Sequence, residues 1–134
     1  MNAETSLPTE LVILGLSVLL LFLHIMLQGQ FATKERGFKW NAGPRDESKP
    51  LGIMAGRADR ALRNFQETYP AFVALALGLA VTGQTGGLGA VGALLWIVAR
   101  CVYLPLYLMG TPVIRSIVFG VSFFGLTLML VRFF

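Results

Sequence analysis

The stretch RADRALRNFQETYPAF, residues 57 to 72, sets a run of charged groups at the head of a long apolar segment. Arg60, Arg63, Asn64 and Glu67 follow the spacing i, i+3, i+4, i+7, which places them on one face of a helix. Arg57 extends that stripe by one turn. A second set, Arg100, Tyr103 and Tyr107, repeats at i, i+3, i+7, and a third, Arg115 and Ser116, closely follows Thr111-Pro112. Guanidinium groups pair bidentately with carboxylates, so the chemistry on offer is recognition of an anion. Arginines at helix ends also snorkel to phosphate headgroups. Glu67 argues against that as their whole role, because it lies about 15 Å along the helix from Arg57 and adds nothing to headgroup binding.

The balance of charge sharpens the reading. Arg57, Arg60, Arg63, Arg100 and Arg115 gather on three apolar segments, against Glu67 and Asp59 alone. A structural ion-pair network would come closer to neutral. Glu67 and Asn64 add acceptors for an ammonium or amide, so a ligand with two carboxylates and one amine, such as glutathione, fits the mixture. A bare phosphate leaves Glu67 unexplained. Arg100 lies about 12 Å inside its apolar segment. An arginine at that depth costs roughly 2.5–3.5 kcal/mol on insertion scales unless it faces protein, water or an anion.

These groups must be held by membrane-spanning helices. The chain has 134 residues, 55% of them hydrophobic and 13% charged, and a mean hydropathy of +0.70. That is too apolar for a soluble domain and short enough for one domain, residues 1–134. The expected architecture is all-α and integral to the membrane: a four-transmembrane-helix bundle with helices over about 8–32, 56–82, 88–108 and 112–133, and a loop over 33–55. Gly37, Gly43, Pro44 and Pro50 argue against one long helix in that loop; Phe38 and Trp40 suit headgroup depth. The loop reads either as plain interfacial chain or as a lid over a pocket. Eight of the eleven Lys and Arg fall between residues 34 and 63, so this end is expected to be cytoplasmic, with both termini on the other side. The acidic start, Glu4 and Glu10, does not suit a cleavable signal peptide. Bacterial inner membrane is the expected location, or endoplasmic reticulum in a eukaryote.

Other residues carry less. His24 is a lone histidine in an apolar run and reads as a packing group, as does Cys101. Neither metal nor nucleic acid is expected as a partner. The glycine-rich GQTGGLG lacks a following Lys-Ser/Thr and reads as a turn. Ala74, Gly78 and Thr82, and separately Ser116 and Gly120, have the small-residue spacing of close helix contacts.

The run Arg60-x-x-Arg63-Asn64-x-x-Glu67-Thr-x-Pro70, with Arg100-x-x-Tyr103-x-x-x-Tyr107 and Thr111-Pro112-x-x-Arg115-Ser116, resembles the MAPEG family, the membrane-associated proteins of eicosanoid and glutathione metabolism. The resemblance covers the whole chain. It implies a homotrimer of four-helix subunits that binds glutathione as co-substrate between neighbours, near the cytoplasmic face. By resemblance, Arg60, Arg63, Asn64, Glu67, Arg100, Tyr103 and Tyr107 hold the peptide, while Arg115, with Ser116, stabilises its thiolate for attack on an apolar electrophile that arrives from membrane lipid. Phe119 and Tyr103 depart from the prostaglandin synthase pattern, which has tyrosine and histidine there, and Pro105 removes a helical hydrogen bond just before Tyr107.

One branch of that family binds lipid without catalysis, so a non-catalytic lipid-binding or scaffold protein stays open beside the glutathione transferase or peroxidase. A small anion transporter built on the same arginines is a third reading, disfavoured by four short helices joined by tight turns.

Overall fold

The computed structural model describes residues 6–46 and 50–134. The acidic group Glu4 and the basic Lys49 lie outside the described residues. Five helices follow one another: α1 (Thr9–Arg36), α2 (Phe38–Ala42), α3 (Ile53–Val81), α4 (Leu88–Met109) and α5 (Pro112–Val131). Among the described residues four of the five helices are long, and the fifth, α2, is a single turn. The loop contains a one-turn helix, α2, set off from α1 by Gly37 at a φ of 93°. α1 runs four residues past its expected end and α3 starts three residues early.

Of the four long helices, α1, α4 and α5 are long and apolar enough to cross a membrane. α3 is equally long, but Arg57, Asp59, Arg60, Arg63 and Glu67 occupy its first half. Its continuous apolar part, Ala71 to Val81, covers only about 16 Å.

Polar contacts at both ends show how the long helices alternate in direction. At one end Glu35, in the last turn of α1, accepts hydrogen bonds from the N–H groups of Gly52 (2.6 Å) and Ala55 (3.1 Å), capping the start of α3. Arg57 Nη1 donates to the Leu108 carbonyl at the end of α4 (3.0 Å), satisfying one of the acceptors a helix leaves orphaned at its C-terminus. At the other end Glu10 accepts from the Gly86 N–H (2.7 Å), and Arg132 Nε donates to the Gln84 carbonyl (3.0 Å). The charged residues of α3, the end of α4 and the start of α5 thus share one end of the molecule.

α4 packs against α1, α3 and α5; among the described residues α1 and α5 share no close backbone contact. The interior is aromatic. Phe72 and Trp96 stack with centroids 3.9 Å apart and planes 4° from parallel, and Phe65 packs on Trp96 (5.7 Å), Tyr69 (4.8 Å) and His24 (4.8 Å). On α1 the polar Glu10, Ser17 and His24 face inward while Leu16, Leu19 and Phe22 are exposed. That inversion is expected in lipid, where a polar group finds partners only inside the protein. Ser17 meets Tyr69 through their hydroxyl groups at 2.9 Å. His24 is a packing residue against Phe65. Cys101 is not: it is exposed, on a groove with Leu16, Leu19, Leu20, Leu23 and Ile97.

The closest helix contact lies where the small-residue pattern did not point. A Cβ on Gly92 would run into the Gly125 carbonyl, and one on Gly125 would sit 2.5 Å from the Gly92 carbonyl and 2.9 Å from the Trp96 nitrogen. α4 and α5 touch backbone to backbone there. Gly120, by contrast, has nothing within 4 Å of a built Cβ. Gly125→Ala is expected to cost about 1–3 kcal/mol by forcing the helices apart, despite alanine's better helix propensity. Gly120→Ala should be neutral. Thermal unfolding of the two variants in detergent checks the contrast; equal stability would contradict the contact.

Candidate functional site

Arg100 is the centre of the polar region. It sits on the buried face of α4, four residues after Trp96, and is fully buried. Its Nη1 donates to Asn64 Oδ1 of α3 at 2.8 Å. The guanidinium carbon lies 4.5 Å from the Tyr103 ring centroid and 5.3 Å from that of Phe65, within cation–π range of both. Its Nε and Nη2 have no hydrogen-bond partner among the described residues. A buried guanidinium with one hydrogen bond and two free donor nitrogens is strongly under-satisfied, and calls for an acceptor, above all an anionic one.

The polar region continues toward the α4–α5 turn. Tyr103, buried, packs against Tyr107 (5.6 Å) and against Phe119 of α5 (6.2 Å). Arg115, in the first turn of α5, lies over the Tyr107 ring with its guanidinium carbon 4.6 Å from the centroid. Asn64, Arg100, Tyr103, Tyr107 and Arg115 thus form one chain of contacts drawn from three helices. α4 continues through Pro105 to Met109, so Tyr107 keeps its place one turn after Tyr103.

The stripe on α3 does not act as a unit. Asn64 turns inward to Arg100, whereas Arg60, Arg63 and Glu67 are exposed. Arg63 pairs with Asp59 on its own helix (3.1 Å), its side chain 74% exposed. The i, i+3, i+4, i+7 positions span a broad arc, and only the part nearest α4 reaches Arg100. Ser116 is exposed, and its hydroxyl donates to the Pro112 carbonyl of its own helix (3.1 Å). Arg57, one more member of the stripe by spacing, instead clasps the end of α4: a Cβ on Gly110 would lie 2.6 Å from its Nη2.

Phe65 escaped sequence reasoning. It supplies the aromatic face shared by His24, Tyr69, Trp96 and Arg100. The available signal was its place beside Asn64 and one turn before Tyr69, which predicts an inward aromatic. Among the described residues, no group of three His, Cys, Asp or Glu could hold a metal ion.

The MAPEG family model matches residues 13–134, nearly the whole chain. The chain belongs to the MAPEG family. Neither a curated protein nor a solved structure matches it significantly. MAPEG membership and the three apolar helices together make this an integral membrane protein. The family match covers all three helices of this polar chain, from Asn64 on α3 to Arg115 on α5.

Proposed function

We propose that this MAPEG protein is a glutathione-dependent membrane transferase or peroxidase that works as a homotrimer. The observation that carries the reading is the buried Arg100, with Nε and Nη2 lacking an acceptor among the described residues. A peptide carboxylate answers those donors, and the exposed carboxylate of Glu67 on the neighbouring helix suits the peptide's ammonium. Arg60, Arg63 and Tyr107 complete the binding set. Arg60, Arg63 and Glu67 are open to the outside in one chain, which supports a site closed by a neighbouring copy.

Glutathione supplies the thiol that attacks an apolar electrophile. Arg115 faces the same surface across Tyr107 and stabilises negative charge on the sulfur, with the Ser116 hydroxyl adjacent in sequence. A free thiol is only a few per cent ionised at neutral pH, so a fixed cation in a poorly hydrated site raises the reactive fraction. Apolar grooves support an electrophile that arrives from lipid. One of about 340 Å³ lies between α4 and α5, lined by Leu94, Leu95, Val98, Val102, Val118 and Val121 among others. A mixed pocket of about 560 Å³ lies beside α1 and α2, where Met26 and Phe38 are joined by Gln30, Thr33, Lys34 and Asn41.

The wholly apolar α4–α5 groove also favours the non-catalytic lipid-binding reading. An ultraviolet difference titration of the purified protein with glutathione separates the two. A saturable thiolate absorbance at neutral pH is expected. Saturable lipid binding without that band would replace the enzyme with a lipid-binding protein.

A further inference from the structure

We propose that the segment from Lys34 to Asp46 is a docking surface for anionic phospholipid headgroups of the bilayer the chain itself spans. The apolar run of α1 ends at Leu27, and Lys34, the first charged side chain after it, lies about 10 Å further along the helix, at headgroup depth. Lys34, Arg36, Lys39 and Arg45 follow within twelve residues.

The fold concentrates this charge. Arg36 and Arg45 close on one ring: their guanidinium carbons lie 4.2 and 5.8 Å from the centroid of Trp40. Arg45 reaches it by adopting a φ of 59°, a conformation that L residues avoid, held by its Nε donating to the Asn41 carbonyl (3.0 Å). Asn41 is tied back to α1 through Thr33 Oγ1 (2.7 Å). Two guanidinium groups gathered on one interfacial ring repel each other, which favours an anionic partner beside them. Among the described residues the segment's carboxylates are Glu35 and Asp46, and neither forms an ion pair with these cations. Both oxygens of Glu35 are engaged by Gly52 and Ala55, and Arg36 Nε finds no acceptor among the described residues. Lys34 and Lys39 are exposed, and Phe38 beside them is 74% exposed. An aromatic pair set among four cations at the edge of a span fits lipid phosphates, with the rings at the interface. Because Glu35 caps α3, docking of this surface also steadies the helix that carries Arg57, Arg60 and Asn64.

The test reconstitutes the full chain in nanodiscs of phosphatidylcholine alone and of phosphatidylcholine mixed with phosphatidylglycerol, and follows backbone hydrogen exchange over residues 38–46. Each basic group near an anionic surface adds roughly a five-fold preference, so phosphatidylglycerol is expected to slow exchange about ten-fold or more. The slowing should fade at high salt, and disappear in the Lys34→Gln/Lys39→Gln/Arg45→Gln variant, whose three side chains are exposed. Equal exchange in the two discs overturns the proposal, the surface then being covered by a neighbouring copy or by nothing. Slowing by soluble glycerol phosphate in neutral discs also overturns it, in favour of a soluble anion. The wild-type comparison decides the matter even if the triple variant fails to assemble.

Discussion

Arg115→Ala should lose the glutathione thiolate band at neutral pH and turn over about 100-fold more slowly, while its oligomer and helix content stay unchanged. A hundred-fold fall in thiolate corresponds to about 2.7 kcal/mol of lost stabilisation of the charged sulfur, within the range of removing one charged donor aimed at an oxyanion-like centre. The structure supports the separation of chemistry from assembly. Arg115 stands in the first turn of α5, where its guanidinium lies against the Tyr107 face. Among the described residues no carboxylate pairs with it. Arg115→Lys keeps a cation but loses the planar group that stacks on Tyr107, and should recover only part of the rate. The titration and a single-turnover rate measured on the same samples check both variants. Normal turnover in the alanine variant would remove Arg115 from the chemistry.

Arg100→Leu should weaken glutathione binding about 100-fold yet leave the protein as stable as before, or slightly more so. Two opposed effects decide stability. Keeping a guanidinium deep in a membrane helix costs roughly 2.5–3.5 kcal/mol on insertion scales. Its hydrogen bond to Asn64 returns about 1.5–3 kcal/mol, and its cation–π contacts with Tyr103 and Phe65 about 0.5–1 kcal/mol more. The sum is close to zero, so the arginine is not kept for folding. Binding has no such offset, because the free Nε and Nη2 are the donors a carboxylate would take. Asn64→Leu in the same background removes the acceptor that Arg100→Leu strands, and should restore any small loss of stability without restoring binding. Calorimetric titration with glutathione, beside thermal unfolding, reads both effects. A fall of several kcal/mol in stability with binding intact would make Arg100 a structural residue and sink its assigned role.

Much of this is legible in the sequence because polar groups are rare in an apolar chain. With so few charges, the spacing of Arg60, Asn64 and Glu67, and of Arg100, Tyr103 and Tyr107, stands out without noise. Burial of Arg100 follows from its depth in an apolar run, and Asn64 belongs to the same polar set. Helix α2 is less legible. Its five residues lie between Gly37 and Gly43, and a single turn has too little periodicity to register. Cys101 lies outside the interior, against expectation, because in lipid a small residue is as welcome on the outer face as in the core.

The sequence by itself determined the class of the molecule: a membrane protein of long helices, with a surplus of arginine at one end. Hydropathy and charge are properties of residue types, and they sum along a chain without reference to its path. Only the tertiary structure decided which charges meet. Helical spacing gives a direction around one axis, whereas contact depends on how neighbouring helices are rotated and how closely they approach. That approach is set by backbone contacts such as Gly92 against Gly125. Between α3 and α4 the packing brings Asn64 to Arg100, while Arg63, its neighbour in the chain, turns outward to Asp59.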